Sequence, residues 1–213
     1  MLKIKVKAGN ITNLTDARYF AAREVEWLGF PLGTGKGMIE PIKVKAIAEW
    51  VDGVQIVGEF GFASFEEIKQ VSEAINLDAV QVGMFISLDD ISELEGLTVI
   101  KEVVAGIELS ATEMEDHLDA YADHCDFFLL NFSSAGHTWH EVASGHPYPI
   151  DFLKKLCQRH PVILHLDCPV EDVPRMITEI NPFAISLSGG EEEQVGVKSF
   201  DDLDEILDVL EVE

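Results

Sequence analysis

Polar and apolar residues alternate at every step through Lys3-Ile4-Lys5-Val6-Lys7-Ala8, the period of a strand with one face in a core. Gly9-Asn10 breaks the pattern, and a helical spacing takes over from Thr12 to Glu24. The same strand-then-helix unit returns along the chain. Residues 26–30 form a short apolar run ahead of a helix that starts after Pro41, and residues 53–58 precede a helix whose N-cap is Ser64, with Glu67 three positions on. Residues 78–82, 98–104, 126–131, 161–166 and 183–187 continue the series, with helical stretches near 112–122, 150–159, 170–180 and 200–210. The pattern predicts eight strands and about eight helices.

Strand starts fall about 26 residues apart, the length of a minimal strand–helix module with short loops. Such units need a parallel sheet covered by helices, which either stays open or closes on itself. Eight near-equal units with no long mid-chain crossover favour closure. The expected fold is α/β, a single (β/α)8 TIM barrel over residues 1–213, because no Pro-, Gly- or Ser-rich linker and no low-complexity tract divides the chain. The longest loop is expected at residues 132–149, after the sixth strand.

Charge narrows the partners. Lys and Arg number 15 against 39 Asp and Glu, a net charge of −24 that repels phosphate backbones and anionic lipid, so neither nucleic acid nor a membrane is an expected partner. Cys125, Cys157 and Cys168 make no even disulfide framework, and Met1 leads straight into a charged strand, so a cytoplasmic, reducing setting is expected.

In a barrel of this kind the chemistry belongs to the C-terminal ends of the strands. That singles out Gly9-Asn10, residues 30–37, residues 58–62, Gly83, Asn131, residues 165–168 and residues 188–193, with Gly9, Asn131, Asp167 and Ser188 expected to meet at one mouth. Several of these admit a plain structural reading beside a functional one. Ser188-Gly189-Gly190 is either a backbone cradle for an anion or a tight strand-to-helix turn with Glu191, Glu192 and Glu193 set against it. His165 and Asp167 share a side if the alternation runs on, and with Cys168 they make a polar site; otherwise Asp167 is a loop or N-cap residue before the helix near Val170. His137, His140 and His146, in the loop with Trp139 and Tyr148, offer imidazoles to a divalent metal, but their spacing matches no established ligand set and reads as surface histidines. Lys3, Lys5 and Lys7 make one face of the first strand basic, and turned inward they need carboxylate or polar partners.

The string Lys7-Ala8-Gly9-Asn10-Ile11-Thr12-Asn13-Leu14-Thr15-Asp16-Ala17, the run Leu77-Asp78-Ala79-Val80-Gln81, the strand Pro161-Val162-Ile163-Leu164, and the closing Ser188-Gly189-Gly190 and Gly196-Val197-Lys198 resemble the phosphoribosylanthranilate isomerase family of tryptophan biosynthesis. The match keeps the family's order over essentially the full length. The resemblance implies an Amadori rearrangement of a ribosylamine phosphate with no cofactor, in which a general acid opens the furanose ring and a general base takes the C2′ proton. It also implies that Lys7 points into the barrel.

The same resemblance marks the departures. The family's cysteine base falls at Gly9 and its aspartate acid at Asn131; glycine has no group to take a proton, and an amide donates a hydrogen bond without usefully transferring a proton. The family's arginine falls at Gly37, with only Lys36 beside it, and the glycine turn for phosphate after the seventh strand is replaced by Leu166-Asp167, so phosphate affinity is expected to be weak. Lys36, Gln81, Ser188, Gly189 and Gly190 remain as ligand-binding candidates, and His165, Asp167 and Asp16 as substitute acid or base. The leading expectation is a barrel of this family with lost or altered catalysis. An active isomerase working through substitutes, a non-catalytic binding or homodimer-forming barrel, and an enzyme for another, less anionic small molecule are the alternatives.

Overall fold

The computed structural model describes the whole chain except Thr34, Lys36, Glu95, Ile107, Glu108, Gly189, Gly190, Glu191, Val195, Gly196, Ser199 and Glu213, with backbone only at 192–194 and 197–198. Eight parallel strands pair in sequence order: β1 (Lys5–Gly9), β2 (Trp27–Pro31), β3 (Gln55–Phe60), β4 (Ala79–Val82), β5 (Thr98–Val104), β6 (Phe127–Asn131), β7 (Val162–His165) and β8 (Ala184–Ser188). β8 pairs back onto β1, from Lys5 opposite Ala184 to Gly9 opposite Ser188, and the sheet closes as the (β/α)8 barrel that the spacing predicts.

Period-two alternation sorts each strand into two faces. Trp27, Val57, Ala79, Ile100, Leu129, Ile163 and Ala184, one residue from each of seven strands, form a buried cluster of their own, which is the packed interior of the barrel. The residues between them turn outward and join the larger core under the helices. Within the interior cluster, Trp27 packs edge-on to Phe127 and donates its indole N–H to Gln55 at 3.0 Å, while Lys5 lies 5.5 Å from the Trp27 ring and pairs with Glu26 at 2.7 Å. Above that cluster the inward positions become polar, which is where a site can form.

The covering helices are α1 (Leu14–Ala22), α2 (Pro41–Ala48), α3 (Phe65–Ile75), α4 (Leu88–Ser92), α5 (Ala111–Tyr121), α6 (Trp139–Ala143), α7 (Ile150–Arg159), α8 (Val173–Ile180) and α9 (Asp201–Leu210). Their starts are written in the sequence. Asn13, Ser64, Ser87 and Ser110 cap α1, α3, α4 and α5 with side-chain acceptors, and Pro41 opens α2. Tyr19 of α1 donates to Asp204 of α9 at 2.7 Å, joining the first helix to the last across the closure.

Two features differ from the sequence pattern. The loop after β6 contains α6, whose Thr138 and Glu141 form a capping box, so the span expected to be open loop is pinned by Trp139 and Val142 in the core. Residues 192–194 (β9) and 197–198 (β10) pair antiparallel after β8, where an acidic turn alone is expected. Among the described residues no helix is long and apolar enough to cross a membrane.

On the outward face of β5, Lys101 is fully buried beneath α5, donating to the carbonyls of Gly83 at 3.3 Å and Met84 at 3.2 Å and lying 4.3 Å from the Tyr121 ring. Burial lowers its pKa to about 8. Because the unfolded chain then binds the extra proton between about pH 8 and the ordinary lysine value, stability should rise with pH through that window, by about 3 kcal/mol at most. Denaturant titrations at pH 7 and pH 10 should show wild type gaining on Lys101→Met over this interval. Parallel pH profiles for the two proteins would contradict the assignment.

Candidate functional site at the barrel mouth

Among the described residues, two of the cavities that open at the C-terminal end of the barrel gather the candidate residues. The central one, about 240 Å³, is lined by inward residues from the strand ends, among them Lys7, Glu59, Gln81, Glu102, Asn131 and His165. The second, about 740 Å³, lies between the ends of β7 and β8 and helices α8 and α9; it shares His165, Ser186 and Ser188 with the first.

A buried ion pair dominates the central cavity. Lys7 is 1% exposed and its ammonium contacts the Glu59 carboxylate from β3. Asn10 takes a left-handed backbone conformation (φ 56°) just past β1, which aims its N–H at Glu59 Oε2 at 3.0 Å. The pair has room because Gly29 lacks a side chain, and the bare Gly9 spares its carboxylate a shift. A Cβ on Gly9 would sit 2.9 Å from Glu59 Oε1, and a Cβ on Gly29 would overlap the same carboxylate and come within 2.8 Å of Lys7 Nζ.

Across the cavity, Glu102 of β5 accepts from Gln81 Nε2 at 2.9 Å and from Asn131 Nδ2 at 2.7 Å. The Asn131 carbonyl oxygen takes the Ser134 N–H at 2.9 Å, so its amide is fixed with nitrogen toward Glu102. His165 places Nδ1 3.0 Å from the Ser186 carbonyl oxygen, which can only accept; Nδ1 therefore carries the hydrogen, and Nε2 is left for the cavity.

The sequence candidates divide accordingly. Gly9, Gln81, Asn131, His165 and Ser188 line the central cavity together. Asp167 does not join them: β7 ends at His165, and the backbone of Asp167 is instead held by Ser133 Oγ and the Trp139 N–H, leaving its exposed side chain on the second cavity. Asp16 is buried in α1 with its N–H on the Asn13 cap and is not among the described residues lining either cavity. Gly37 is exposed at φ 90°, a conformation that favours glycine over the arginine of the resembled family. Lys36, Gly189, Gly190 and Glu191 lie outside the described residues, as do the side chains of Glu192 and Glu193.

The histidine loop splits as well. His137 is buried, meets the His146 ring edge to face at 5.2 Å and lies 3.7 Å from Glu141, while His140 is exposed. Among the described residues no three His, Cys, Asp or Glu side chains are grouped to hold a metal ion. Burial, with Asp172 and Glu171 nearby, pushes the Cys168 thiol up to about 12, so it stays protonated at neutral pH. Glu102 is the functional candidate that sequence reasoning left off its site, and Glu59 fell within the singled-out residues 58–62 without a role of its own. Their signal was available: Val57-x-Glu59, Ala79-x-Gln81 and Ile100-x-Glu102 each put a polar residue two positions beyond an interior apolar one.

The second cavity has Asp167, Asp201 and Asp202 on its wall and no lysine or arginine among its described lining residues. At an effective dielectric of about 20, a unit charge pair at roughly 6 Å is worth about 3 kcal/mol before salt screening, so one carboxylate offsets a modest anion affinity. Inorganic phosphate and ribose 5-phosphate should bind more weakly than about 1 mM by calorimetry, and Asp167→Gly should tighten them severalfold. Micromolar binding to the unmodified protein, or no gain in the variant, would refute this.

Searched against protein-family models, the chain matches none. It is 24% identical over 194 residues to the N-(5'-phosphoribosyl)anthranilate isomerase of Caldanaerobacter subterraneus subsp. tengcongensis, covering 89% of each chain. Among solved structures, it resembles the phosphoribosyl anthranilate isomerase of Thermus thermophilus (27% identity, TM-score 0.74) and that of Thermotoga maritima (26% identity, TM-score 0.76). Each superposition covers 96% of this chain and 97% of the other.

Proposed function

We propose, from the premise that the chain is a distant member of the N-(5'-phosphoribosyl)anthranilate isomerase family, that it keeps the family barrel and a small-molecule site at its mouth but has lost or altered the family's acid–base chemistry. The observation that carries this reading is the state of the two positions where the family's base and acid fall. Gly9 has no side chain, and the space ahead of it is taken by the Glu59 carboxylate, itself tied to Lys7 and the Asn10 N–H. Asn131 is an amide with both ends engaged, one by Glu102 and one by Ser134. Neither offers a proton-transfer group. The aspartates on the second cavity add support, because they oppose a phosphate-bearing substrate.

One observation favours a second reading, an isomerase acting through a substitute. His165 holds Nδ1 on a backbone carbonyl and keeps Nε2 toward the cavity, the arrangement a general acid or base needs. A homodimer belongs to the same family-based proposal, since one related structure is described as coming from a dimeric enzyme. Complementation of a tryptophan auxotroph lacking the isomerase separates the two readings: no growth is expected, and growth on the unmodified gene would replace the first reading with the second.

A further inference from the structure

The central cavity holds more hydrogen-bond acceptors than the protein itself fills. Glu102 is buttressed by two neutral amides, from Gln81 and Asn131. The lysine that lines the same cavity, Lys7, is engaged by Glu59, so among the described lining residues Glu59 and Glu102 set two carboxylates against one ammonium. A second observation is independent of that charge count. Gln81 is only 8% exposed and its amide is oriented by the bond its nitrogen gives Glu102, yet its carbonyl oxygen Oε1 is buried with no hydrogen-bond partner. Buried amide oxygens are ordinarily satisfied, and this one belongs to a residue lining the mouth.

We propose that the mouth binds its small ligand through a protonated primary amine, seated between the Glu102 carboxylate and Gln81 Oε1. The proposal deepens the reading above and rests on it, since it names the chemical class that replaces the family's anionic substrate. An ammonium brings three donors and no acceptor, the complement of a carboxylate beside an orphaned carbonyl. A hydroxyl brings one donor and two lone pairs, and a phosphate brings acceptors and negative charge to a place already rich in both. The hydroxyls of Ser186 and Ser188 and His165 Nε2 line the opposite wall and suit a hydroxylated remainder. A volume of about 240 Å³ limits the ligand to a small molecule.

Calorimetry on the full chain at pH 7 with glucamine (1-amino-1-deoxy-D-glucitol) and D-glucitol tests this, because the two probes differ only in an ammonium for a hydroxyl. Glucamine is expected to bind at least about tenfold tighter, and Glu102→Gln, which keeps the shape and removes the charge, should abolish most of that preference. Gln81→Leu removes the orphaned oxygen and should weaken glucamine while leaving glucitol nearly unchanged, a readout that stands even if Glu102→Gln fails to fold. Equal binding of the two probes, no glucamine binding at about 10 mM, or a preference that survives both substitutions would overturn the proposal. Loss of amine preference in a protein that also fails to isomerise N-(5'-phosphoribosyl)anthranilate defeats this inference alone. Isomerisation at an ordinary enzyme rate defeats the reading beneath it.

Discussion

Purified protein given N-(5'-phosphoribosyl)anthranilate should turn it over at least about 10³-fold more slowly than an isomerase of the same fold that keeps both acid and base. General acid and general base groups typically contribute about 10² to 10⁴ each, and on the reading proposed above the places of that pair are taken by Gly9 and Asn131. A factor of 10³ corresponds to about 4 kcal/mol of lost transition-state stabilisation. From sequence alone, Gly9→Cys with Asn131→Asp is the obvious restoration, but the structure amends it. The new Cβ at position 9 would lie 2.9 Å from Glu59 Oε1, so the pair of substitutions should restore little until Glu59→Ala makes space. Any activity is expected from the triple variant. Steady-state assays of wild type, double and triple variants check the order, and wild-type turnover in the ordinary enzyme range would show that a substitute such as His165 works.

The barrel was legible because its information is local. Alternation in Lys3 to Ala8, the Ser64 cap with Glu67, and Pro41 at a helix start each depend on a few adjacent residues, and the structure has a strand or helix at each of those places. The site was less legible because it depends on register between strands distant in sequence. Glu59 reaches Lys7, 52 residues away, across β2, a contact set by how three strands align in the closed barrel and encoded by no single strand. Asp167 shows the reverse case. Alternation carried past the end of β7 put it beside His165, and it does line the second cavity with His165, Cys168 and Ser188, but the strand stops at His165 and a bridge to Thr138 holds its backbone away from the central cavity. The Thr138–Glu141 capping box of α6 was visible in the sequence, but five residues are too short for a helical period to stand out from loop.

The second large effect concerns stability. Glu59→Gln leaves the Lys7 ammonium buried without its counter-charge, and breaking one side of a buried pair costs about 3–5 kcal/mol. In a chain of 213 residues that lowers the melting temperature by roughly 6–20 °C. Lys7→Met should cost less, because Glu59 is 12% exposed and retains the Asn10 N–H. The double variant Lys7→Met/Glu59→Gln removes both charges and should be more stable than Glu59→Gln alone. A double-mutant cycle by chemical denaturation would then give a coupling energy above about 1 kcal/mol, and strict additivity would contradict a functional pairing of the two residues.

Gly9 and Gly29 bear on how this site tolerates substitution as well as on its shape. A carboxylate at position 59 and a side chain at position 9 or 29 draw on one volume, so the positions are coupled: a Cβ at 29 overlaps Glu59 and nears Lys7, and one at 9 requires the Glu59 carboxylate to move. A side chain at position 29, and to a lesser degree at position 9, is opposed while Glu59 holds its place, and clearing position 59 strands Lys7. Single substitutions at positions 29 or 59 are therefore expected to be penalised, while combined changes at positions 7, 9, 29 and 59 relieve one another. Libraries that vary positions 7, 9, 29 and 59 together should therefore reach sequences that successive single substitutions from this one do not.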